Sequence, residues 1–91
     1  MKISIAKTSY NGEKYINDQI MSIINQTYKP DEIIIVDDFS KDDTKIIIKK
    51  IIKREKNMDI KLYENPQNLG VVATFKKAIE KATGDIIFLC D

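Results

Sequence analysis

Short apolar runs alternate with amphipathic stretches along this chain, and this alternation limits the folds it can adopt more than any other feature. The run EIIIV at 32–36 is apolar at every internal position, which is typical of a strand covered on both faces. The run at 60–64 alternates between apolar and polar residues, so we expect a strand nearer a sheet edge. Residues 2–6 and 85–91 supply two further apolar runs, and we expect the last to be buried.

Amphipathic stretches separate these strands. The stretch at 14–25 places isoleucines at positions i, i+4, i+7 and i+8, which form one face of a helix. A second helix is expected after Ser40, which fits a capping box with Asp43 three residues later. The apolar residues of this second helix are Ile46, Ile47, Ile48, Ile51 and Ile52.

A third helical stretch completes the pattern, and Gly84 stands where a C-cap glycine belongs. Its expected apolar face consists of Val72, Phe75, Ala78, Ile79 and Ala82. The order is therefore β-α-β-α-β-α-β, which favours a parallel sheet with right-handed crossovers and helices on both faces. We predict a Rossmann-like α/β fold in a single domain that spans residues 1–91.

The composition argues against several classes of protein. The 91 residues carry a net charge of +1 with scattered lysines, so no basic stripe indicates nucleic-acid binding. The sequence contains no histidine and one cysteine, Cys90, which leaves carboxylates and hydroxyls for chemistry and no internal disulfide. The first apolar run is too short for a signal peptide, and no run reaches the roughly 18 apolar residues of a membrane span. We expect a cytoplasmic protein, and the heavy use of Ile, Lys and Asn suggests a bacterial source.

Polar residues follow every predicted strand. They lie at 7–13 after the first strand, at Asp37 and Asp38 after the second, at 65–70 after the third, and at Asp91 after the fourth. Parallel strands bring their carboxyl ends to one edge, where α/β sheets bind ligands. We therefore expect these groups to converge.

The acidic pair has two interpretations. Strand-end carboxylates are often solvated or cap a helix, and a short motif alone does not exclude this. Ser40 and Asp43 already supply the expected cap, however, and Asp91 ends what we expect to be a neighbouring strand. Close carboxylates need a cation, hydrogen-bond donors or protonation. Mg²⁺ or Mn²⁺ with a nucleotide phosphate suits such a site.

Four motifs in order carry a family resemblance: T-x-Y-N-G-E from Thr8, Q-T-x-x-P-D-E-I-I-I-x-D-D-x-S-x-D-x-T from Gln26, N-x-G from Asn68, and G-D-I-I-F-L-x-D from Gly84. Together they resemble the N-terminal half of a family 2 inverting glycosyltransferase with a GT-A fold, of the rhamnosyltransferase-like kind. Such enzymes transfer a sugar from a nucleotide diphosphate to a cell-surface glycan. The resemblance covers essentially the whole chain.

The resemblance implies roles for seven residues. Thr8, Tyr10 and Glu13 would line the nucleotide pocket, and turn or solvated positions are the alternative. Asp38 would accept a hydrogen bond from a uracil or thymine imide, as in a UDP- or dTDP-sugar, while Asp37 supports the loop. The remaining implied residues are Gly70, near the diphosphate, and Asp91, the first carboxylate of a D-x-D motif near the ribose and the Mg²⁺ or Mn²⁺.

The chain departs from the family pattern in two ways. Where many relatives carry a basic residue and Asn, it has Ala73, Thr74 and Phe75. Lys76 or Lys77 is a candidate for a replacement diphosphate contact, although the pattern favours a solvated helix face. The rest of the D-x-D motif, the acceptor half and the catalytic base would lie beyond Asp91. We therefore expect a donor-binding fragment that is inactive alone and whose truncated face promotes self-association.

Two other functions fit parts of the sequence. IIIVDD and IIFLCD look like the acidic pocket and the phosphorylated strand of a receiver-type phosphoacceptor domain, but a complete strand–helix unit precedes Asp37. A non-catalytic nucleotide-binding or interaction fragment is the other alternative. The parent enzyme is expected in the cytoplasm, with the inner face of the membrane as a second position.

Overall fold

A four-stranded parallel sheet forms the centre of the molecule. The computed structural model describes residues 1–90, so Asp91 lies outside the described residues. The elements in chain order are β1 (Ile3–Ser9), α1 (Ile16–Ile24), β2 (Glu32–Asp37), α2 (Thr44–Arg54), β3 (Asp59–Glu64), α3 (Val71–Lys81) and β4 (Ile86–Cys90). The predicted order and the Rossmann-like α/β fold class are confirmed.

The strands lie in the order β3-β2-β1-β4, and each neighbouring pair is parallel. Successive strands move outward from β1 through β2 to β3, and the chain then returns to place β4 on the other side of β1. The strand order therefore reverses between β1 and β4, which makes that point the topological switch of the sheet. The edge position predicted for the third strand is confirmed.

Helices cover both faces, as predicted. On one face α1 and α2 pack against the sheet through an isoleucine-rich cluster, because β2 offers Ile33 and Ile35 to that side. On the other face Ala78 of α3 packs against Ile34 and Val36. All six residues of β2 are buried, so the central strand supplies side chains to both layers. Among residues 1–90, no helix is long and apolar enough to cross a membrane.

The packed face of α3 differs from the predicted one. Val72 is 79% exposed and Ile79 is 40% exposed, whereas Thr74 and Ala78 are fully buried. Small side chains four residues apart let the helix backbone approach the sheet closely. The most apolar side chains of α3 therefore lie beside the surface that packs on the sheet rather than within that surface.

The prediction of a buried fourth strand is wrong. Phe88 and Leu89 are 54% and 59% exposed, because β4 is an edge strand on which none of the described helices packs extensively. The expectation that β4 neighbours the strand ending in Asp37 is also wrong, since β1 lies between them. Ile46 of α2 is exposed as well.

Gly84 does not act as a C-cap. The helix ends at Lys81, and Gly84 instead lies against β1, where its N–H donates to Ser4 Oγ at 2.8 Å. A Cβ atom at this position would lie 2.9 Å from both the Lys2 carbonyl oxygen and the Ser4 nitrogen. A glycine is needed here because two backbones approach closely.

Candidate functional site

A cavity of about 700 Å³ opens at the carboxyl-terminal edge of the sheet, above β1 and between the starts of α1 and α3. β1 is one of the two strands that flank the topological switch, where α/β sheets bind ligands. Four predicted site residues line this cavity: Thr8, Tyr10, Asp38 and Gly70. The other lining residues are Lys7, Ser9, Asn11, Gly12, Tyr15, Ile16, Gln19, Asn68, Val71 and Thr74. Three of the four polar segments that we expected to converge contribute to this lining, and the fourth, Asp91, lies outside the described residues.

Of the two remaining predicted site residues, one lies away from the cavity and the other is not among the described residues. Glu13 is exposed and does not belong to the lining, because its backbone N–H donates to Asp42 Oδ2 at 3.2 Å in the neighbouring loop. The structure thus does not place Glu13 against this cavity, and its role in nucleotide binding stays a prediction. Asp91, the predicted metal ligand, lies outside the described residues.

Asp38 is the centre of a set of hydrogen bonds. Its Oδ1 accepts from the N–H of Leu69 at 2.7 Å and from the side-chain amide of Asn65 at 3.0 Å. Its Oδ2 accepts from the N–H of Gly70 at 3.0 Å, and its main-chain carbonyl accepts from the side chain of Asn68 at 2.7 Å. The carboxylate thus fixes the loop at 65–70 on the end of β2.

These donors also control the charge of Asp38. Burial of the carboxyl group raises its pKa, but the hydrogen bonds from Leu69, Asn65 and Gly70 outweigh burial and bring the pKa below its ordinary value. Asp38 is therefore ionised at neutral pH. It presents a negatively charged acceptor to the cavity.

Asp37 is fully buried and holds the ends of two strands together. Its Oδ1 accepts from the hydroxyl groups of Ser9 and Ser40 at 2.7 and 2.6 Å, and its Oδ2 accepts from the N–H of Ser40 at 2.8 Å. Asp37 therefore stabilises the loop beneath Asp38, as the resemblance implied. Ser40 is not a helix cap: the helix is preceded by Asp43, whose side chain makes no cap hydrogen bond.

The loops after β1 and β2 are tied to each other. The N–H of Asn11 donates to Ser40 Oγ at 2.8 Å, and the N–H of Gly12 donates to Thr44 Oγ1 at 2.9 Å. Asn11 and Phe39 both have positive φ, at 46° and 58°, which is a conformation that costs non-glycine residues energy. The cross-links hold both turns in this conformation and so fix the position of Tyr10.

Gly70 begins the first turn of α3. Its φ of 92° is readily adopted by glycine and costly for other residues. Its N–H is occupied by Asp38, and its carbonyl accepts from the hydroxyl of Thr74 at 2.6 Å. Gly70 therefore shapes the backbone beside the cavity while its own N–H stays engaged within the protein.

Several lining residues were missed by the sequence analysis. Tyr15 is 66% exposed and adds a second aromatic side chain near Tyr10, which is 55% exposed. Lys7 is almost fully buried in β1 yet borders the cavity; the sequence placed it in the polar segment after the first strand but assigned it no role in the site. Neither Lys76 nor Lys77 lies among the lining residues; the ammonium group of Lys77 instead donates to Asn65 Oδ1 at 3.1 Å.

The described residues do not themselves make a metal centre. Within residues 1–90 no group of three or more carboxylate, thiol or imidazole side chains could hold a metal ion. Asp38 is committed to N–H donors, so its environment suits a hydrogen-bonding ligand better than a cation.

The comparisons with known proteins agree on one family. The family model for glycosyl transferase family 2 matches residues 4–91. An uncharacterized glycosyltransferase of Haemophilus influenzae is 42% identical over 89 residues, which are 98% of this chain and 35% of that protein. A putative teichuronic acid biosynthesis glycosyltransferase of Bacillus subtilis, TuaG, is 33% identical over 98% of this chain and 34% of its own length. The chain thus spans about a third of these relatives.

Solved structures give the same result for the fold. The mannosyltransferase PcManGT of Pyrobaculum calidifontis, in complex with GDP-Man and Mn²⁺, superposes with a TM-score of 0.88 at 24% identity, over 94% of this chain and 26% of that one. TarS of S. aureus, residues 1–349 in complex with UDP-GlcNAc, has a TM-score of 0.82 at 29% identity, over 100% of this chain and 26% of that one. Both likenesses agree with the Rossmann-like α/β fold of this chain.

Proposed function

The chain belongs to glycosyl transferase family 2, and from this premise we propose that it supplies the donor-nucleotide pocket of an inverting glycosyltransferase. The observation that carries the proposal is the convergence of Thr8, Tyr10, Asp38 and Gly70 on one cavity at the switch point of the sheet. The proposed donor is a UDP- or dTDP-sugar. The proposed acceptor is a cell-surface polysaccharide, in keeping with the teichuronic acid role that the name of TuaG records.

Each group in the cavity has a part in binding. The ionised carboxylate of Asp38 accepts the imide N–H of the base. The exposed ring of Tyr10 offers a flat apolar surface on which a base can stack, and Tyr15 offers a second one. The first turn of α3, beginning at Gly70, presents the positive end of a helix dipole to a diphosphate.

The proposed reaction is a single displacement at the anomeric carbon. A carboxylate base outside this chain would take the proton of the acceptor hydroxyl. A bound Mg²⁺ or Mn²⁺ would supply Lewis-acid stabilisation of the leaving diphosphate. The residues of this chain bind and orient the donor, so we propose that the chain alone has no transferase activity.

Family membership favours this function over a receiver domain. In the structure Asp37 and Asp38 follow β2, with a complete strand–helix unit before them, whereas a receiver pocket would follow the first strand. The decisive experiment is a calorimetric titration of the chain with UDP in the presence of Mn²⁺. Saturable binding that is lost in Asp38→Ala supports the proposal. Absence of saturable binding, or acid-stable, alkali-labile labelling of Asp91 by a small phosphodonor, would contradict it.

A further inference from the structure

The hydrogen bonds around Asp38 limit what it can still accept. Each carboxylate oxygen offers two lone-pair positions. Both positions on Oδ1 are taken, by the side-chain amide of Asn65 and the N–H of Leu69. On Oδ2 one position is taken by the N–H of Gly70. The hydroxyl of Thr74 also interacts with the carboxylate, but its single proton is donated to the Gly70 carbonyl oxygen at 2.6 Å. One acceptor position on Oδ2 is therefore left for a ligand in the cavity.

The orientation of Asn65 is fixed by Lys77. An ammonium group can only donate hydrogen bonds, so the Lys77 Nζ atom, at 3.1 Å, selects the oxygen end of the Asn65 amide. The nitrogen end then faces Asp38 at 3.0 Å and Thr74 Oγ1, also at 3.0 Å. Asn65 is only 2% exposed, and water has little access to compete for these bonds.

The number of open acceptor positions matters because bases differ in the donors they present. Uracil and thymine present one imide N–H between two carbonyl groups. Guanine presents two adjacent N–H groups, which a carboxylate satisfies best by accepting through both of its oxygens. Asp38 can accept through Oδ2 alone unless Asn65 or Leu69 gives up its bond to Oδ1.

We propose that Asn65 and Lys77 form a positioning pair that holds Asp38 to one open acceptor position, so that the cavity selects uracil or thymine nucleotides over guanine nucleotides. The pair lies behind the carboxylate and does not line the cavity. The inference rests on the proposed function, because it concerns which donor nucleotide the same cavity takes.

The test compares UDP with GDP as ligands of the chain, each titrated calorimetrically with Mn²⁺ present. The wild-type chain should bind UDP more tightly. Asn65→Leu opens a second acceptor position on Oδ1, and the ratio of the GDP to the UDP dissociation constant should fall about fivefold, the size expected for one hydrogen bond. Lys77→Met frees the amide without removing it and should lower the ratio by a smaller factor.

Lys76→Met is the matched control, since Lys76 is exposed on the same helix and the chemical change is identical. It should leave the ratio unchanged. If Asn65→Leu does not fold, the inference is tested by the ratio of the GDP to the UDP dissociation constant in Lys77→Met, compared with the same ratio in Lys76→Met.

A wild-type preference for GDP would overturn the inference. An unchanged ratio in the folded variants, with UDP still bound, would overturn it equally and leave the proposed function intact. Failure of the wild-type chain to bind either nucleotide would contradict the proposed function and the inference with it.

Discussion

The N–H of Gly70 donates to Oδ2 of Asp38 at 3.0 Å, although the two residues are 32 positions apart in the sequence. This bond joins the end of β2 to the first turn of α3. The strand end and the glycine turn therefore form one unit, and the carboxylate has a structural as well as a binding role.

Replacement of Asp38 should affect folding and binding together. In Asp38→Asn, the new amide NH₂ group would face at least one of the N–H donors of Leu69 and Gly70. We expect a loss of about 1–3 kcal/mol in the free energy of unfolding, the cost of a buried donor without an acceptor, and a loss of UDP binding. Urea unfolding and UDP titration measure the two effects.

Asp43→Asn is the matched control for this change. Asp43 lies in the same loop, is exposed, and makes no cap hydrogen bond with its side chain. It should unfold and bind UDP as the wild-type chain does. Wild-type stability in Asp38→Asn would show that the bonds to Leu69 and Gly70 contribute little.

Two buried carboxylates predict a loss of stability in acid. Burial raises the pKa of Glu32, but hydrogen bonds from Ser4 and Thr83 and the charge of Lys2 bring it below its ordinary value of 4.5. The pKa of Asp38 lies below its ordinary value of 3.8. Because the folded-state values are the lower ones, both groups stabilise the fold fully above these ordinary values and lose that contribution as the pH falls through the folded-state values.

The free energy of unfolding should therefore be nearly constant from neutral pH down to about pH 5 and then decline. Denaturant titrations at a series of pH values measure this profile. Glu32→Gln should make the decline shallower, whereas Glu80→Gln, on the exposed side of α3, should not alter it. A decline in stability that begins well above pH 5 would show that these two carboxylates do not cause it. A slope in Glu32→Gln identical to that of the wild-type chain would exclude Glu32 as a cause.

The sequence could predict the elements, because apolar period and length are local properties. Ile33 and Ile35 with their neighbours leave no polar face on β2, and the isoleucines of α1 recur at helical spacing. Burial was harder to predict, because it depends on strand order. Phe88 is as apolar as a core residue, yet it is exposed because it lies on an edge strand that no described helix covers extensively.

The site could be predicted in part, because the ends of strands can be located from the local pattern of the sequence. Asp38 and Gly70 follow strands, and parallel strands bring their carboxyl ends together. The partner of a polar side chain is a long-range property, however. Ser40 fits a local capping box, but its hydroxyl bonds to Asp37 and to the N–H of Asn11. Lys77 has the pattern of a solvated residue and yet contacts a buried amide.

The close contact at Gly84 predicts a stability change. In Gly84→Ala the added Cβ would meet backbone atoms of Lys2 and Ser4 at 2.9 Å, which cannot move without disturbing the pairing of β1 with β4. We expect a loss of roughly 1–3 kcal/mol, as for other overpacked positions. Thermal and urea unfolding measure it.

Gly12→Ala is the control for this glycine, since a Cβ at position 12 would have nothing within 4 Å. Its stability should be unchanged or higher by up to about 1 kcal/mol, because alanine restricts the unfolded chain. Equal losses in both variants would contradict the contact-based explanation.

Removal of divalent metal should weaken donor binding. The diphosphate of UDP carries several negative charges, and Asp38 adds another to the cavity, so we propose that a Mg²⁺ or Mn²⁺ ion balances them. With EDTA present, we expect the affinity for UDP to fall on the order of tenfold or more, and the activity of a longer protein containing this chain to collapse. Asp91→Asn should make UDP binding insensitive to EDTA. Unchanged binding and activity in EDTA would exclude the metal.

The exposed edge of β4 predicts self-association. Residues 86–90 contain no charge and no proline, and such an edge is a template for pairing with another strand. Phe88 and Leu89 are 54% and 59% exposed, on opposite faces of the strand, so a second copy of the chain paired edge to edge would place its own apolar side chains beside both. We propose that the β4 edge pairs with the same edge of a second copy of the chain. Sedimentation velocity should then show dimers or larger species as the protein concentration rises.

A charge on the edge strand tests this pairing. Leu89→Lys should give monomers, because pairing would bury an unpaired ammonium group. Ile46→Lys makes a comparable change at an exposed position of α2, which packs near β3 on the far side of the sheet, and should associate as the wild-type chain does. A monomeric wild-type chain, or dissociation caused by Ile46→Lys and not by Leu89→Lys, would show that β4 is not the contact.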